Sequence, residues 1–355
     1  RFDLKFIFDQ PDYSKHTVYW LPWAFNYNTY NGLPLGVMAY AGMIPGYPYG
    51  ISVVPLYDFN NRSLAGYALG KKTWYRVLGM KSVEVHLAAD RLYGHTGVKL
   101  GVKATRRKTI KADPVLNLTA DFFYHDLYDN AAFNDSLYSP GSVSVLRGGV
   151  TYSRTISPLL NYSISAGMEG AVSNADFWKV DFTSRGRYRW SKSIRTVWRM
   201  WAGGFLGDAD VPVQYFTTMG GGVDPDFENR FVLDRMNSFD QSRMNLYDEQ
   251  YLADGPGLHG RAIDGNKILR TLKPAFGLNL NQSLPKLPVK LFVDIAGAAD
   301  FDLLTDAGIV TGGAGLEIYI PLYQSWDSDP FVTDGNWILD RARFSITAPN
   351  LRIGF

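Results

Sequence analysis

The five histidines are the residues best able to bind a metal or move a proton, and they are scattered at positions 16, 86, 95, 125 and 259. A zinc peptidase needs two histidines in H-E-x-x-H spacing on one helix, with the glutamate as base. No segment has that spacing, and the sequence contains no cysteine, no G-x-S-x-G segment and no phosphate-binding loop. The pattern predicts no catalytic residue, no metal site and no cofactor in this chain.

Two acidic residues, Glu169 and Asp181, lie on segments that we expect to be neighbouring strands. Such a pair could serve as the general acid and the general base of a catalytic site. The favoured interpretation is charge balance against the neighbouring arginines. His86 and His125 each fall on the polar face of an alternating segment, which predicts residues of an inner wall rather than metal ligands.

A row of cations runs through the same region, and it has two interpretations. It could make a lumen that attracts anions, because a low-dielectric wall focuses such a field. The favoured alternative is a docking wall for the acidic segment that follows it in sequence. The row comprises Lys179, Arg185, Arg187, Arg189, Arg195 and Arg199; the acidic residues are Asp224, Asp226, Asp234, Asp240, Asp248 and Glu249.

The stretch from Leu159 to Trp201 alternates between apolar and polar residues almost without a break. Leu160, Ile164 and Met168 share one parity, whereas Asn161 and Glu169 share the other. Side chains on a strand point to opposite faces with a period of two. The segments are longer than an ordinary strand and suit a tilted membrane strand of roughly ten residues, apolar towards lipid and polar towards a lumen. We therefore predict an all-β fold, a transmembrane antiparallel β-barrel.

The composition agrees with a barrel. Aromatic residues make up 15% of the chain, as expected for girdles at both membrane interfaces. The 36 Lys and Arg nearly balance the 34 Asp and Glu, which gives no case for a nucleic-acid partner. No stretch resembles the long apolar run of a membrane helix. A large soluble β-sandwich or propeller is the alternative.

Alternating segments continue on both sides of this stretch and predict about 16 strands in one domain, residues 1–355. Residues 207–267 break the pattern, and we predict a long loop folded into the lumen. In the last strand the phase slips at Pro349, which indicates a bulge. Because the chain begins at Arg1 rather than at a methionine, we expect it to be processed or part of something longer.

The end of the chain, with Leu351, Ile353 and the terminal Phe355, resembles the C-terminal signal that the assembly machinery reads in Gram-negative barrels. The resemblance implies an outer-membrane location. It also implies two partners, the barrel assembly machinery and outer-membrane lipid.

Three further segments resemble the last strands of the BamA/TamA-like superfamily: Met200–Leu206, Phe292–Gly297 and Gly313–Pro321. That resemblance implies a sixteen-stranded barrel whose lumen loop ends in Val/Leu-Arg-Gly-Phe/Tyr. The matching residues here are Leu258, His259, Gly260 and Arg261, so His259 replaces the family arginine and Arg261 the aromatic residue. The acidic wall residue that pairs with the family arginine corresponds to Asp294.

A narrower resemblance covers Phe231–Arg235, Asp248–Gln250, Asp254–Gly255 and Asn279–Asp294. These segments are similar to a barrel that, in some Bacteroidota proteins, follows a gluzincin metallopeptidase of the aminopeptidase-N type. The resemblance implies a missing N-terminal zinc peptidase domain, with zinc bound only there.

These observations give two functional hypotheses. In the first, the barrel anchors a fused or associated soluble domain in the outer membrane, helps to export it, and has no catalysis of its own. In the second, it is a BamA-like insertase or translocation barrel, or an anion-preferring channel. Other outer-membrane complex subunits are further expected partners.

Overall fold

The computed structural model describes residues 2–6, 9, 16–24, 33–41, 48–92, 94–107, 114–128, 138–191, 194–207, 210–218, 263–264, 267–268, 270–283, 289–298, 309–321, 341–347 and 351–354. All of the long elements are strands, and several reach the length expected of a membrane strand, from 10 residues in Tyr49–Asp58 to 17 in Gly141–Ser157.

The strands are β1 (Phe2–Phe6), β2 (His16–Ala24), β3 (Leu35–Ala41), β4 (Tyr49–Asp58), β5 (Ser63–Tyr75), β6 (Ser82–Leu92), β7 (His95–Arg106), β8 (Val115–Leu127), β9 (Gly141–Ser157), β10 (Leu160–Ser173), β11 (Trp178–Arg189), β12 (Arg195–Phe205), β13 (Thr217–Thr218), β14 (Ile263–Asp264), β15 (Lys267–Ile268), β16 (Arg270–Thr271), β17 (Ala275–Ser283), β18 (Val289–Ala298), β19 (Ile309–Pro321), β20 (Arg341–Thr347) and β21 (Leu351–Gly354).

One sheet of 17 strand segments dominates the molecule. From β2 to β12 each strand pairs antiparallel with the next along the chain, and the ladder continues from β12 through β17, β18 and β19. β1 pairs parallel with β2. β20 and β21 both pair with β19, at different parts of its length, so the described segments occupy 16 strand positions in the sheet. The predicted all-β barrel fold is confirmed.

The sheet has two chemically different faces, as the alternation predicted. Strand β4 shows it most regularly, with every second residue buried. Along β10 to β12 the large apolar side chains Ile164, Met168 and Phe182 are exposed on the outward face, whereas Thr183 and Trp201 are buried on the inner face. Because many strands contribute such residues, the outward face presents a broad apolar surface of the kind that contacts lipid.

Two clusters of buried apolar residues lie on the inner face. The smaller comprises Val54, Leu56 and Tyr67 on β4 and β5. The larger joins Phe123, Val143 and Val145 to Phe177 and Tyr215, which come from connections rather than strands. A connection therefore packs against the interior of the sheet.

The strands of the sheet have two ends, which we name by the connections found there. The loop end carries the connections 59–62, 93–94, 174–177 and 206–274, and the turn end carries the connections 76–81, 158–159 and 190–194. Since 206–274 is far longer than the other connections of either end in β4 to β12, the two ends are structurally distinct.

The predicted bulge at Pro349 lies outside the described residues, but the registers on either side of it differ by one residue. Thr347 lies opposite Gly315 and Leu351 opposite Gly312, so four steps along the last strand match three along β19. One extra residue in one strand is the definition of a β-bulge.

The segment predicted to be irregular, 207–267, is described only in part. It includes a short 3-10 turn at Val213–Tyr215 and the start of β13, which pairs with β16 just before β17. The possible strand at Asn229–Arg235 falls in the part that is not described. Within the described residues, no helix has the length and apolarity needed to cross a membrane.

Candidate functional site on the inner wall

Two histidine–aspartate pairs occupy the inner wall where β6, β7 and β8 lie side by side. His86 on β6 and Asp121 on β8 approach to 3.0 Å, Nε2 to Oδ1. The residue between them in register is Gly101 on β7. A Cβ atom at Gly101 would overlap both side chains, so the missing side chain lets the pair form across the intervening strand.

The second pair lies four residues further along β6, closer to the loop end. His95 Nδ1 lies 2.8 Å from Asp90 Oδ2, and both side chains are almost completely buried. Gly97 stands in register between Asp90 and His125, but the bonded partner of Asp90 is His95, which lies on the same strand as Gly97. The His95 and His125 rings meet edge to face at 6.1 Å. In the part of the chain that the structure describes, no three such side chains are placed to hold a metal ion.

A third cluster is centred on Glu169 of β10. Arg147 on β9 donates to Glu169 Oε2 from Nη2 at 2.7 Å and from Nε at 3.1 Å. On the other side, Lys179 Nζ lies 3.6 Å from Glu169 Oε1. This carboxylate therefore balances two cations on neighbouring strands, as the favoured interpretation of Glu169 expected.

Arg147 also contacts Phe123, together with a further cation, Lys99. Lys99 Nζ lies 4.7 Å and Arg147 Cζ 4.9 Å from the centroid of the Phe123 ring, which is buried. A cation near an aromatic face is attracted to the ring quadrupole. From β7 to β11, charged side chains therefore connect neighbouring strands in addition to the backbone hydrogen bonds.

The short segment 210–218 packs against this wall at the loop end. Tyr215 is 1% exposed, its ring lies 4.9 Å from that of Phe177, and its hydroxyl oxygen lies 2.9 Å from His125 Nε2. Lys179 Nζ donates to the Tyr215 carbonyl at 3.2 Å. The ends of the turn are also bonded, because Ser139 N–H donates to Gln214 Oε1 and Val213 N–H to Ser139 Oγ. The beginning of the long connection is therefore fixed to the inner face.

The predicted row of cations is placed mostly at the turn end. Arg185 lies opposite Arg199 in register and Arg189 opposite Arg195, and Arg187 shares their face. Lys179 instead lies at the loop end, in the Glu169 cluster. The other side chains thus form a ladder along β11 and β12. Whether they dock acidic loop residues stays a prediction, because Asp224, Asp226, Asp234, Asp240, Asp248 and Glu249 are not among the described residues.

The remaining predicted site residues are only partly covered. The lumen-loop motif Leu258, His259, Gly260 and Arg261 is outside the described residues, as is the terminal Phe355. The backbone of Asp294 lies in β18 opposite Asn279 and Gly313. Leu351 and Ile353 lie in β21, which pairs with β19. The lumen motif and the assembly signal stay predictions.

Sequence reasoning did not single out several residues of this wall, among them Arg147, His95, Asp90 and Tyr215. Asp90 lies near the end of β6 and His95 begins β7, and hairpin pairing of these consecutive strands would have placed both near the same strand ends. Arg147 became a partner of Glu169 only through the register of β9 on β10. Tyr215 lies in an irregular segment with no periodic signal.

The comparisons with known proteins found matches among solved structures. No protein-family model matches the chain, and no curated protein matches it in sequence. A solved structure, CdiB from Acinetobacter baumannii, matches with a TM-score of 0.38 and 12% identity over 86% of this chain and 54% of that one. The chain thus spans about half the length of that structure. Similarity of this size assigns neither a family nor an activity to the chain.

Proposed function

We propose that this chain is the membrane-embedded barrel of a Gram-negative outer-membrane protein, and that it works as a translocation or insertion barrel of the BamA-like kind. The proposal combines the apolar outward face with the polar inner wall. The sequence resemblance at Met200–Leu206 and Gly313–Pro321 supports the superfamily.

The observation that carries the proposal is the contact of Tyr215 with the inner wall. An open diffusion channel needs an unobstructed lumen, whereas Tyr215 and Gln214 are buried where the connection after β12 enters the interior. The contact rests on a few hydrogen bonds and one aromatic cluster. A passing polypeptide could displace a segment that is held by so few contacts. It could not displace a permanently packed core.

Planar-bilayer conductance of the purified chain tests this proposal. If the 210–218 segment closes a translocation barrel, the wild-type protein shows no steady current. The Tyr215→Ala variant, in which the closure is weaker, shows brief openings. A steady anion-selective current from the wild type would identify a channel instead. The absence of any current from both the wild type and the variant would identify a passive anchor.

The anchor hypothesis has its own support in the resemblance to barrels that follow a zinc metallopeptidase. Asn279–Ser283 and Val289–Asp294, which carry part of that resemblance, form the β17–β18 hairpin. In this version the barrel holds a peptidase domain that binds zinc, and its own residues do no catalysis. An H-E-x-x-H motif ahead of the barrel in the unprocessed gene product would support the anchor, and small βαα-type repeats there would exclude it.

A further inference from the structure

The outward face of the sheet carries few charged residues, and they are distributed unequally. A residue belongs to this face when it lies an even number of residues from an exposed apolar side chain of the same strand, such as Trp74, Leu87, Val102 or Val150. Between β4 and β12, the described strand residues that meet this condition include four cations and one acid. These charged residues are Lys72, Arg91, Arg106, Arg154 and Asp126.

Three of the four cations lie near the turn end. Lys72, Arg106 and Arg154 are each within three residues of the turn end of their strands. Arg91 instead lies at the loop end, where Asp126 shares its register row and the Tyr128 ring centroid lies 5.7 Å from its guanidinium carbon. Among the described strand residues of β4 to β12, the turn end of the outward face therefore carries cations without acids.

Aromatic side chains continue the register row that begins at Arg154. The row runs through Tyr162 on β10 and Gly186 on β11 to Trp198 on β12. A Cβ atom at Gly186 would overlap the Trp198 indole, so that ring covers the glycine between the two aromatic residues. The Tyr162 ring also lies 6.3 Å from that of Tyr152 on β9. We call Arg154, Tyr152, Tyr162 and Trp198 the turn-end strip.

The turn-end strip borders the apolar surface of the barrel. Ile164 and Met200, the next outward residues along β10 and β12, are both exposed. Outer-membrane barrels have short turns at the periplasm and long loops outside, so the connection 206–274 places the turn end at the periplasmic side. Tyrosine and tryptophan lie at such interfaces with the ring in hydrocarbon and the polar edge among headgroups, which an arginine side chain also reaches. The strip therefore lies where acyl chains meet headgroups.

We propose that Arg154, Tyr162 and Trp198 bind the headgroup of an anionic phospholipid, an inference that rests on the proposed membrane barrel. A guanidinium group donates forked hydrogen bonds to phosphate oxygens, and the phenol and indole supply further donors. The acyl chains lie along Ile164 and Met200. The excess of cations at this end favours a headgroup with net negative charge over a zwitterionic one.

Native mass spectrometry of the whole chain in a non-ionic detergent tests the proposal. The probes are phosphatidylglycerol, which is anionic, and phosphatidylcholine, which is zwitterionic, with identical acyl chains. We expect phosphatidylglycerol to bind about fivefold more tightly or better, the effect of roughly one additional basic residue at a membrane surface. Excess glycerol phosphate should not displace the lipid, because it has no acyl chains to contact the apolar border of the strip.

Variants of two outward arginines locate the site. Arg154→Gln removes the charge and should weaken phosphatidylglycerol binding about fivefold, to the affinity measured for phosphatidylcholine. Arg154→Lys preserves the charge but not the forked geometry, so it should retain part of the preference. The matched control is Arg91→Gln, on the same face at the loop end, which should leave the affinity within about twofold.

Several results would overturn the inference. Equal affinity for the two phospholipids would do so, as would equal losses in Arg154→Gln and Arg91→Gln. Displacement by glycerol phosphate would show a site for small soluble anions instead. A chain that inserts in bilayers but does not distinguish the two lipids contradicts this inference alone. A chain that fails to enter bilayers contradicts the proposed function itself.

Discussion

Tyr215 and His125 are joined by a hydrogen bond of 2.9 Å between the phenol oxygen and Nε2, although 90 residues separate them in sequence. The bond connects the long connection after β12 to strand β8 on the inner wall. The Phe177 ring on one side and the Lys179 ammonium below complete the contact. Because this contact ties the segment 210–218 to the wall, substitution of Tyr215 can test the closure that we propose for the loop end.

The first prediction separates the Tyr215 ring from its hydroxyl. Tyr215→Phe removes a hydrogen bond with a net contribution of about 1 kcal/mol, so the open fraction should rise about fivefold. Tyr215→Ala also removes the ring from a buried cluster, at about 3 to 5 kcal/mol, and should raise it a hundredfold or more. Single-channel recording gives the open fraction. Tyr57→Ala, on the outward face of β4, is the control and should change nothing; equal effects of all three would contradict the closure.

The second prediction concerns the charge cluster around Glu169. Glu169→Gln leaves Arg147 and Lys179 close together without their carboxylate, and removing one partner of a largely buried ion pair costs roughly 3 to 5 kcal/mol. Reversible urea unfolding in detergent should show a lower midpoint. Glu84→Gln, which removes a carboxylate bonded to one threonine hydroxyl, is the matched control and should cost much less.

The same cluster allows a double-mutant cycle. Arg147→Gln combined with Glu169→Gln should cost less than the sum of the single changes, because residues in one ion-pair network couple by about 0.5 to 3 kcal/mol. Strict additivity of the two changes would show that the Arg147–Glu169 contact contributes nothing measurable.

A third prediction uses the glycine between His86 and Asp121. Gly101→Ala places a methyl group where those two side chains meet, so the pair must separate or the strands must shift. We expect a loss of about 1 to 3 kcal/mol in the free energy of unfolding, the usual range for overpacking. Gly148→Ala on β9 is the control, because open space surrounds a Cβ atom there. Similar unfolding midpoints for the two variants would refute this account of Gly101.

Sequence alone could predict the faces of the sheet because alternation is a local property of the backbone. Ile164 and Glu169 differ in parity, and parity is sufficient to assign one to the outward face and the other to the wall. The partner of Glu169 could not be predicted in the same way. Arg147 lies 22 residues earlier, and only the register of β9 on β10 brings the two together.

The closure at Tyr215 was harder still to foresee. The prediction that 207–267 enters the lumen followed from its length and lack of alternation, and the described start of that segment does pack on the inner face. Its contact residue had no periodic signal, because a single tyrosine in a short 3-10 turn is fixed by tertiary packing alone. Which aromatic residue of an irregular segment is buried depends on its tertiary contacts, in this case those with Phe177 and His125.

The central claim is that alternate residues of β10 face lipid and the inner wall, and site-directed spin labelling tests it most directly. The chain contains no cysteine, so single cysteines can be introduced one at a time across Ser163–Met168 and labelled in proteoliposomes. We predict that oxygen accessibility alternates with a period of two, high at Ile164 and Met168 and low at Ser163 and Ser165. Uniform accessibility, or exposure of position 164 to a water-soluble nickel reagent, would contradict the account.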